Sequence, residues 1–188
     1  MKKYCSIKLL FFGSVLTAIL VLSFQVALRS QEMNKSHPLP KVGDRAPDFS
    51  LPDFDGKPFT LSEMKNNKAV LLWFTNLCKG CEGKLSEVEQ FKNLFEKRGV
   101  EIAVVSQLGE DKKTVEDFIQ KYKLSFRFLY DPDGKATERY SGKYVPDTCP
   151  LKNIYIISKE GKITYVSHLP GADESEIVEQ LSKTIGEK

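Results

Sequence analysis

Two cysteines two residues apart, Cys78-Lys-Gly-Cys81, are the side chains in this sequence whose type and spacing could do chemistry together. Thiols that close to each other suit disulfide exchange. An exposed thiolate of low pKa attacks a partner disulfide, and the second thiol resolves the mixed intermediate by closing a small ring. The same spacing also occurs as half of a zinc site or as two inert buried thiols. A zinc site needs four ligands, and only Cys149 and His168 remain in the domain as candidates, with no second close pair. Which chemistry is favoured depends on the elements that hold the pair.

Those elements are legible on either side. Ala69 to Phe74 is a short continuous apolar run, suited to a central strand buried on both faces. After the pair, Leu85, Val88, Phe91, Leu94 and Phe95 recur at helical spacing, with Lys84, Glu87, Glu89, Lys92, Glu96 and Lys97 opposite, and Gly99 closes the run. Extended backward, this helix has Cys78 at its N-terminus. Unpaired N–H groups and the positive end of the helix dipole favour a thiolate there, and Lys79 and Lys84 add cationic charge, so Cys78 is expected to titrate below an ordinary cysteine. Cys81, one turn in, is expected to be more covered. A C-x-x-C after a strand and at a helix start, within an α/β pattern, points to redox chemistry rather than zinc. Trp73 and Phe74 read as packing at the strand end.

The rest of the domain alternates strands and helices. It begins with Val42-Gly-Asp-Arg-Ala-Pro-Asp-Phe-Ser-Leu51, and Asp55-Gly56 between this and Phe59-Thr-Leu61 signals a hairpin. A short helix or turn follows around Glu63 to Asn67. Beyond the long helix, Val100 to Ser106 reads as a second strand, and Asp111 as the cap of a helix through Lys121 with Val115, Phe118 and Ile119 inward. Phe126 to Tyr130 is a third strand, Asp131-Pro-Asp-Gly134 a turn, and Ala136 to Tyr140 a brief helix before an irregular stretch from Ser141 to Lys152. Asn153 to Ser158 and Lys162 to Ser167 form a hairpin about Glu160-Gly161, and Asp173 with Glu176 opens a last helix with Ile177, Val178 and Leu181 inward. Such βα alternation predicts an α/β fold, a mixed central sheet with helices on both faces, whose reactive site lies at the carboxyl ends of strands.

Ahead of the domain the composition changes. Lys2 and Lys3 precede Leu9 to Leu28, 20 residues without a charge, enough to span a hydrocarbon core as a helix. The segment ends Ala27-Leu28-Arg29, a poor small-x-small cleavage site, so it reads as an uncleaved anchor rather than a secretory signal; cleavage would make the domain a secreted one. With Lys2, Lys3 and Lys8 retained in the cytoplasm, the domain lies outside it. Residues 29–40 are polar, contain Pro38 and Pro40, and read as a linker, with His37 solvated. Residues 41–188 make one domain, long enough for a sizeable core. The formal net charge of +3 is small and the lysines are interleaved with acids, which argues against a nucleic-acid surface.

With these residues in place the chain resembles the thioredoxin-like redoxins, both the membrane-tethered thiol-disulfide oxidoreductases of the TlpA and ResA type and the AhpC/TSA peroxiredoxins. The resemblance spans nearly all of residues 41–188. It rests on Val42 through Phe49, Asp55-Gly56-Lys57, Trp73 through Cys81, Arg98-Gly-Val-Glu-Ile102, Asp131 to Gly134, and Ile154-Tyr-Ile-Ile157 before Gly161-Lys-Ile163. It implies a thioredoxin fold with an N-terminal β-hairpin extension.

The two branches imply different site residues. The oxidoreductase branch implies a nucleophilic Cys78, a resolving Cys81, a redox-active disulfide between them with no other cofactor, protein thiol or disulfide clients such as apocytochromes, and a membrane or soluble thiol reductant. Its usual buried acid corresponds here to Leu72 or Lys84, with Glu82 or water as substitutes. Its cis-proline position falls on Lys152, and Pro150 is taken as the counterpart, with Cys149 before it. The peroxiredoxin branch implies that Thr75 orients peroxide against a peroxidatic Cys78, whose sulfenic acid condenses with Cys81 or Cys149. There the family's proline is replaced by Leu71, and its arginine by Lys152, which keeps the charge without the fork. Arg127 and Arg139 read as surface residues, His168 as a structural hairpin residue, and Cys149 either as a small buried side chain or as a third thiol able to accept the disulfide.

Overall fold

In chain order the elements are β1 (Ser50–Pro52), β2 (Pro58–Thr60), α1 (Leu61–Met64), β3 (Ala69–Thr75), α2 (Lys79–Glu96), β4 (Val100–Ser106), α3 (Lys112–Tyr122), β5 (Arg127–Tyr130), α4 (Lys135–Ser141), β6 (Ile154–Ile157), β7 (Ile163–Ser167) and α5 (Glu174–Ile185). The computed structural model describes residues 38–77, 79–107, 111–143, 145, 152–168 and 173–186; at 79–82, 86, 91 and 94 only the backbone is described. All these elements belong to the unit Leu39–Lys188. The proposed anchor, residues 9–28, and its linker up to 37 lie outside the described residues, among which no helix is long and apolar enough to cross a membrane.

Five strands form one sheet in the order β5-β4-β3-β6-β7. β3 pairs in parallel with β4 and antiparallel with β6, β4 is parallel to β5, and β6 is antiparallel to β7. β3 lies in the middle, and every one of its seven residues is buried, as its unbroken apolar run requires. The strand's period of two splits the core into two clusters. Leu71 and Trp73 pack with Leu85, Val88 and Phe95 of α2, Val115 of α3, and Ile177 and Leu181 of α5. Val70, Leu72 and Phe74 pack with Phe59, Leu61, Ala136 and Tyr140 on the opposite face. The mixed sheet covered on both faces, preceded by a strand pair, is the architecture expected.

Local signals are followed closely in the helices. Asp111 caps α3 by accepting the Thr114 N–H at 2.7 Å, and Asp173 caps α5 by accepting the Ser175 N–H at 3.2 Å. The hydroxyl hydrogen bond and N–H of Thr114 hold the Asp111 carboxyl below its ordinary pKa. The N-terminal arm differs from the expectation. Only Ser50–Pro52 of the first apolar run is a strand; residues further upstream instead run beside β7, with Gly43 N–H on the Ile163 carbonyl at 2.9 Å and Ala46 N–H on that of Gly161 at 3.0 Å.

Two arginines read as surface residues turn out to fasten this arm. Arg127 of β5 reaches Asp53 (Nε to Oδ2, 3.1 Å) and lies over the Phe59 ring, while Arg139 of α4 donates to the Asp48 carbonyl at 2.8 Å. Burial opposes the charge of Asp53, but the Lys57 N–H and the Arg127 guanidinium outweigh it and hold the carboxyl below the ordinary carboxylate range. A depressed folded-state pKa stabilises above the unfolded value and ceases to do so as pH falls through the folded one. Asp53→Ala is therefore expected to cost about 1–3 kcal/mol at neutral pH. Thermal unfolding should show its deficit against the wild type shrinking below about pH 4; a deficit independent of pH would exclude the charge as its source.

Candidate active site

The site is built where β3 ends. Thr75, its last residue, is fully buried; its carbonyl accepts the Gln107 N–H at 3.0 Å, which ties the strand end to that of β4. Its hydroxyl oxygen accepts the Leu77 N–H at 3.0 Å. That bond closes a tight turn over Asn76 and holds Leu77 at φ 52°, in the left-handed region that leucine avoids. α2 then starts at Lys79. Cys81 is the third residue of the helix, within the first turn, where backbone N–H groups have no partner inside the helix. Cys78, immediately before Lys79 in sequence, lies outside the described residues, as does the side chain of Cys81.

Opposite Thr75 the antiparallel edge supplies Lys152. The β3–β6 register pairs Val70 with Ile157 and Trp73 with Ile154, and Phe74 N–H continues the ladder onto the Asn153 carbonyl at 2.8 Å. One residue further the same spacing sets Lys152, half-buried, in the row of Thr75. Residues 77 apart in sequence thus meet at one end of the sheet, the carboxyl end of β3. Cys149 and Pro150, expected beside them, lie outside the described residues.

Lys84 of α2 keeps its positive charge. Its Nζ lies 2.6 Å from Glu87 Oε2, and this bond, helped by the charges of Asp173 and Glu174, raises its pKa. The ammonium is paired within α2 and faces the acidic start of α5. Leu72, at one position where a buried acid was sought, is wholly buried among Phe74, Tyr140 and Tyr155. Trp73 and Phe74 are fully covered, which leaves them as packing residues; Phe74 stacks on Tyr140 at 5.1 Å. Burial raises the phenol pKa of both Tyr140 and Tyr155, so these rings stay neutral under the site.

Sequence reasoning passed over Gln107. It follows β4, is 3% exposed, and its side-chain carbonyl is buried without a hydrogen-bond partner beside the end of β3. Its one visible signal was being the first long polar side chain after an apolar strand. His168, directly after β7, also keeps a buried ring Nε2 without a partner. Among the described residues no three His, Cys, Asp or Glu side chains are close enough to hold a metal; of the four residues weighed for zinc, Cys78, Cys149 and the side chain of Cys81 lie outside that set.

Relatives share this arrangement of elements. The thiol-disulfide oxidoreductase ResA of Geobacillus thermodenitrificans is 28% identical over 144 residues, 77% of this chain and 78% of that protein. Among solved structures, a thiol:disulfide interchange protein of the thioredoxin family from Chlorobium tepidum superposes with a TM-score of 0.63 at 17% identity, covering 78% of this chain and 99% of that one. Peroxidoxin BcpB from Mycobacterium tuberculosis gives 0.63 at 20% identity over 77% of this chain and 96% of that one. The fold is therefore the thioredoxin fold. The profile of the AhpC/TSA family matches residues 42–166, from the arm beside β7 to the end of the sheet, a stretch that includes Thr75, Cys78, Cys81, Cys149 and Lys152; the chain belongs to the AhpC/TSA family.

Proposed function

We propose that this oxidoreductase exchanges disulfides with protein thiols through Cys78 and Cys81, on a domain tethered outside the cytoplasmic membrane by residues 9–28. The observation that carries the reading is the start of α2 at Lys79, which sets the C-x-x-C across a strand-to-helix junction. The Cys78 thiolate attacks one sulfur of a client disulfide and expels the other as a thiolate. Cys81 then attacks the Cys78 sulfur, the client leaves as a dithiol with one further proton, and two electrons have passed to it from the pair, now a disulfide. A membrane or soluble thiol reductant reverses these steps on the pair. The pair is the redox group, and no other cofactor is invoked.

Thr75 favours a second reading, a thiol peroxidase. Cys78 would attack the peroxide O–O bond, release water or an alcohol, and become a sulfenic acid that loses water on condensing with Cys81 or Cys149. The hydroxyl of Thr75, three residues before Cys78, is buried at this junction, although one of its lone pairs already holds Leu77. Stopped-flow oxidation of the reduced protein separates the two. Trp73 is the only tryptophan and packs against α2 with Leu85 and Val88, so its fluorescence reports the pair's neighbourhood. Rapid exchange with a protein disulfide and slow reaction with hydrogen peroxide is the expected result; peroxide oxidation orders of magnitude faster than that of a free thiol would replace it with the peroxidase.

A further inference from the structure

Between the carboxyl ends of β4 and β5 and the helix α4, four polar side chains are buried together: Gln107, Asp131, Thr137 and Ser141. Strand alternation turns the first two the same way. Val105 and Leu129 pack in the cluster that α4 covers with Ala136 and Tyr140, and Gln107 and Asp131 stand two residues beyond them, on the same face. The β4–β5 register pairs Ser106 with Tyr130, which makes Gln107 and Asp131 the next row of the two strands. The helix closes over that row. Its Thr137 N–H donates to Asp131 Oδ2 at 2.8 Å, and Ser141 follows Thr137 by one helical turn, also buried.

Three oxygens of this group lack what buried oxygens need. Gln107 Oε1, Thr137 Oγ1 and Ser141 Oγ have no hydrogen-bond partner among the described residues. Asp131, 2% exposed, is in no ion pair among them either; Lys135, the lysine nearest in sequence, pairs with Asp133 at 2.8 Å and feels Asp131 only through space. A buried carboxylate is ordinarily paired with a cation or coordinates one. Every side chain here presents oxygen, one with a negative charge and one, the Gln107 carbonyl, able only to accept, which is the donor set of a hard cation. One carboxylate balances one charge. We propose that this pocket binds a single monovalent metal cation, sodium or potassium, through Gln107 Oε1, Thr137 Oγ1, Ser141 Oγ and the Asp131 carboxylate. The four side chains lie on the face of the sheet opposite α2, so occupancy is separable from disulfide exchange.

Thermal unfolding of the full chain in choline chloride, sodium chloride and potassium chloride, all at one ionic strength, tests this. Equal ionic strength fixes the screening, and an ion that binds only the folded chain raises the midpoint by mass action, by about 3–6 °C at a tenfold excess over its dissociation constant. Sodium or potassium should give such a rise over choline, and the larger rise names the ion. Gln107→Leu should abolish the difference between the salts whatever its own stability, and Ser141→Ala, the milder change, should shrink it. Gln107→Glu, which adds a second carboxylate, should enlarge it. Equal midpoints in the three salts, the result for a pocket that takes only water, overturn the proposal, as does a rise that survives undiminished in Gln107→Leu or in Ser141→Ala.

Discussion

Cys78→Ser is expected to abolish disulfide exchange, and Cys81→Ser to stop it half-way with the client attached. The two outcomes differ because the two thiols have different tasks in the exchange. In sequence Cys78 immediately precedes Lys79, the first residue of α2, and a cysteine at a helix N-terminus is held as thiolate by the unpaired N–H groups there. Without that thiolate the rate at neutral pH should drop to that of uncatalysed exchange. With Cys81 absent the first attack still occurs but its product has no internal thiol to resolve it. Non-reducing electrophoresis and mass spectrometry should then find chain and client joined by one disulfide, released by dithiothreitol. Cys149→Ser is expected to leave exchange through the pair intact. Full activity in Cys78→Ser would move the nucleophile elsewhere and sink the assignment.

Reading order and reading contact are different problems, and this chain separates them. β3 was legible because a strand covered on both faces must be apolar throughout, and α3 because Asp111 followed by an amphipathic repeat has few other folded uses. The order of every element followed from such local rules. Contacts between distant segments did not. Arg127 finds Asp53 74 residues away and Arg139 finds the Asp48 carbonyl 91 residues away, so neither could be distinguished from an ordinary surface arginine. Leucine is a poor predictor of a left-handed backbone, so the strained turn at Leu77 left no trace in composition.

Thr75→Val is expected to damage both stability and catalysis, and the pattern of damage distinguishes the two uses of this hydroxyl. Valine matches threonine in shape but removes the acceptor for the Leu77 N–H, and Leu77 at φ 52° then loses the bond that compensates its backbone strain. The loss should be about 1–3 kcal/mol, or roughly 2–4 °C in unfolding midpoint for each kcal/mol in a domain of this size. Because Cys78 is the residue after Leu77, relaxation of the turn should also slow disulfide exchange. Thr75→Ser keeps the oxygen and should restore stability and exchange together. If the hydroxyl serves the turn alone, any peroxide reactivity falls in Thr75→Val by the same factor as exchange with a protein disulfide. If it also orients peroxide, peroxide turnover falls much further than exchange, because loss of a hydrogen bond to the reacting atoms adds to the loss of the turn. Measuring both rates in the same three proteins, beside their unfolding midpoints, therefore decides whether Thr75 builds the turn that presents Cys78 or also takes part in chemistry there.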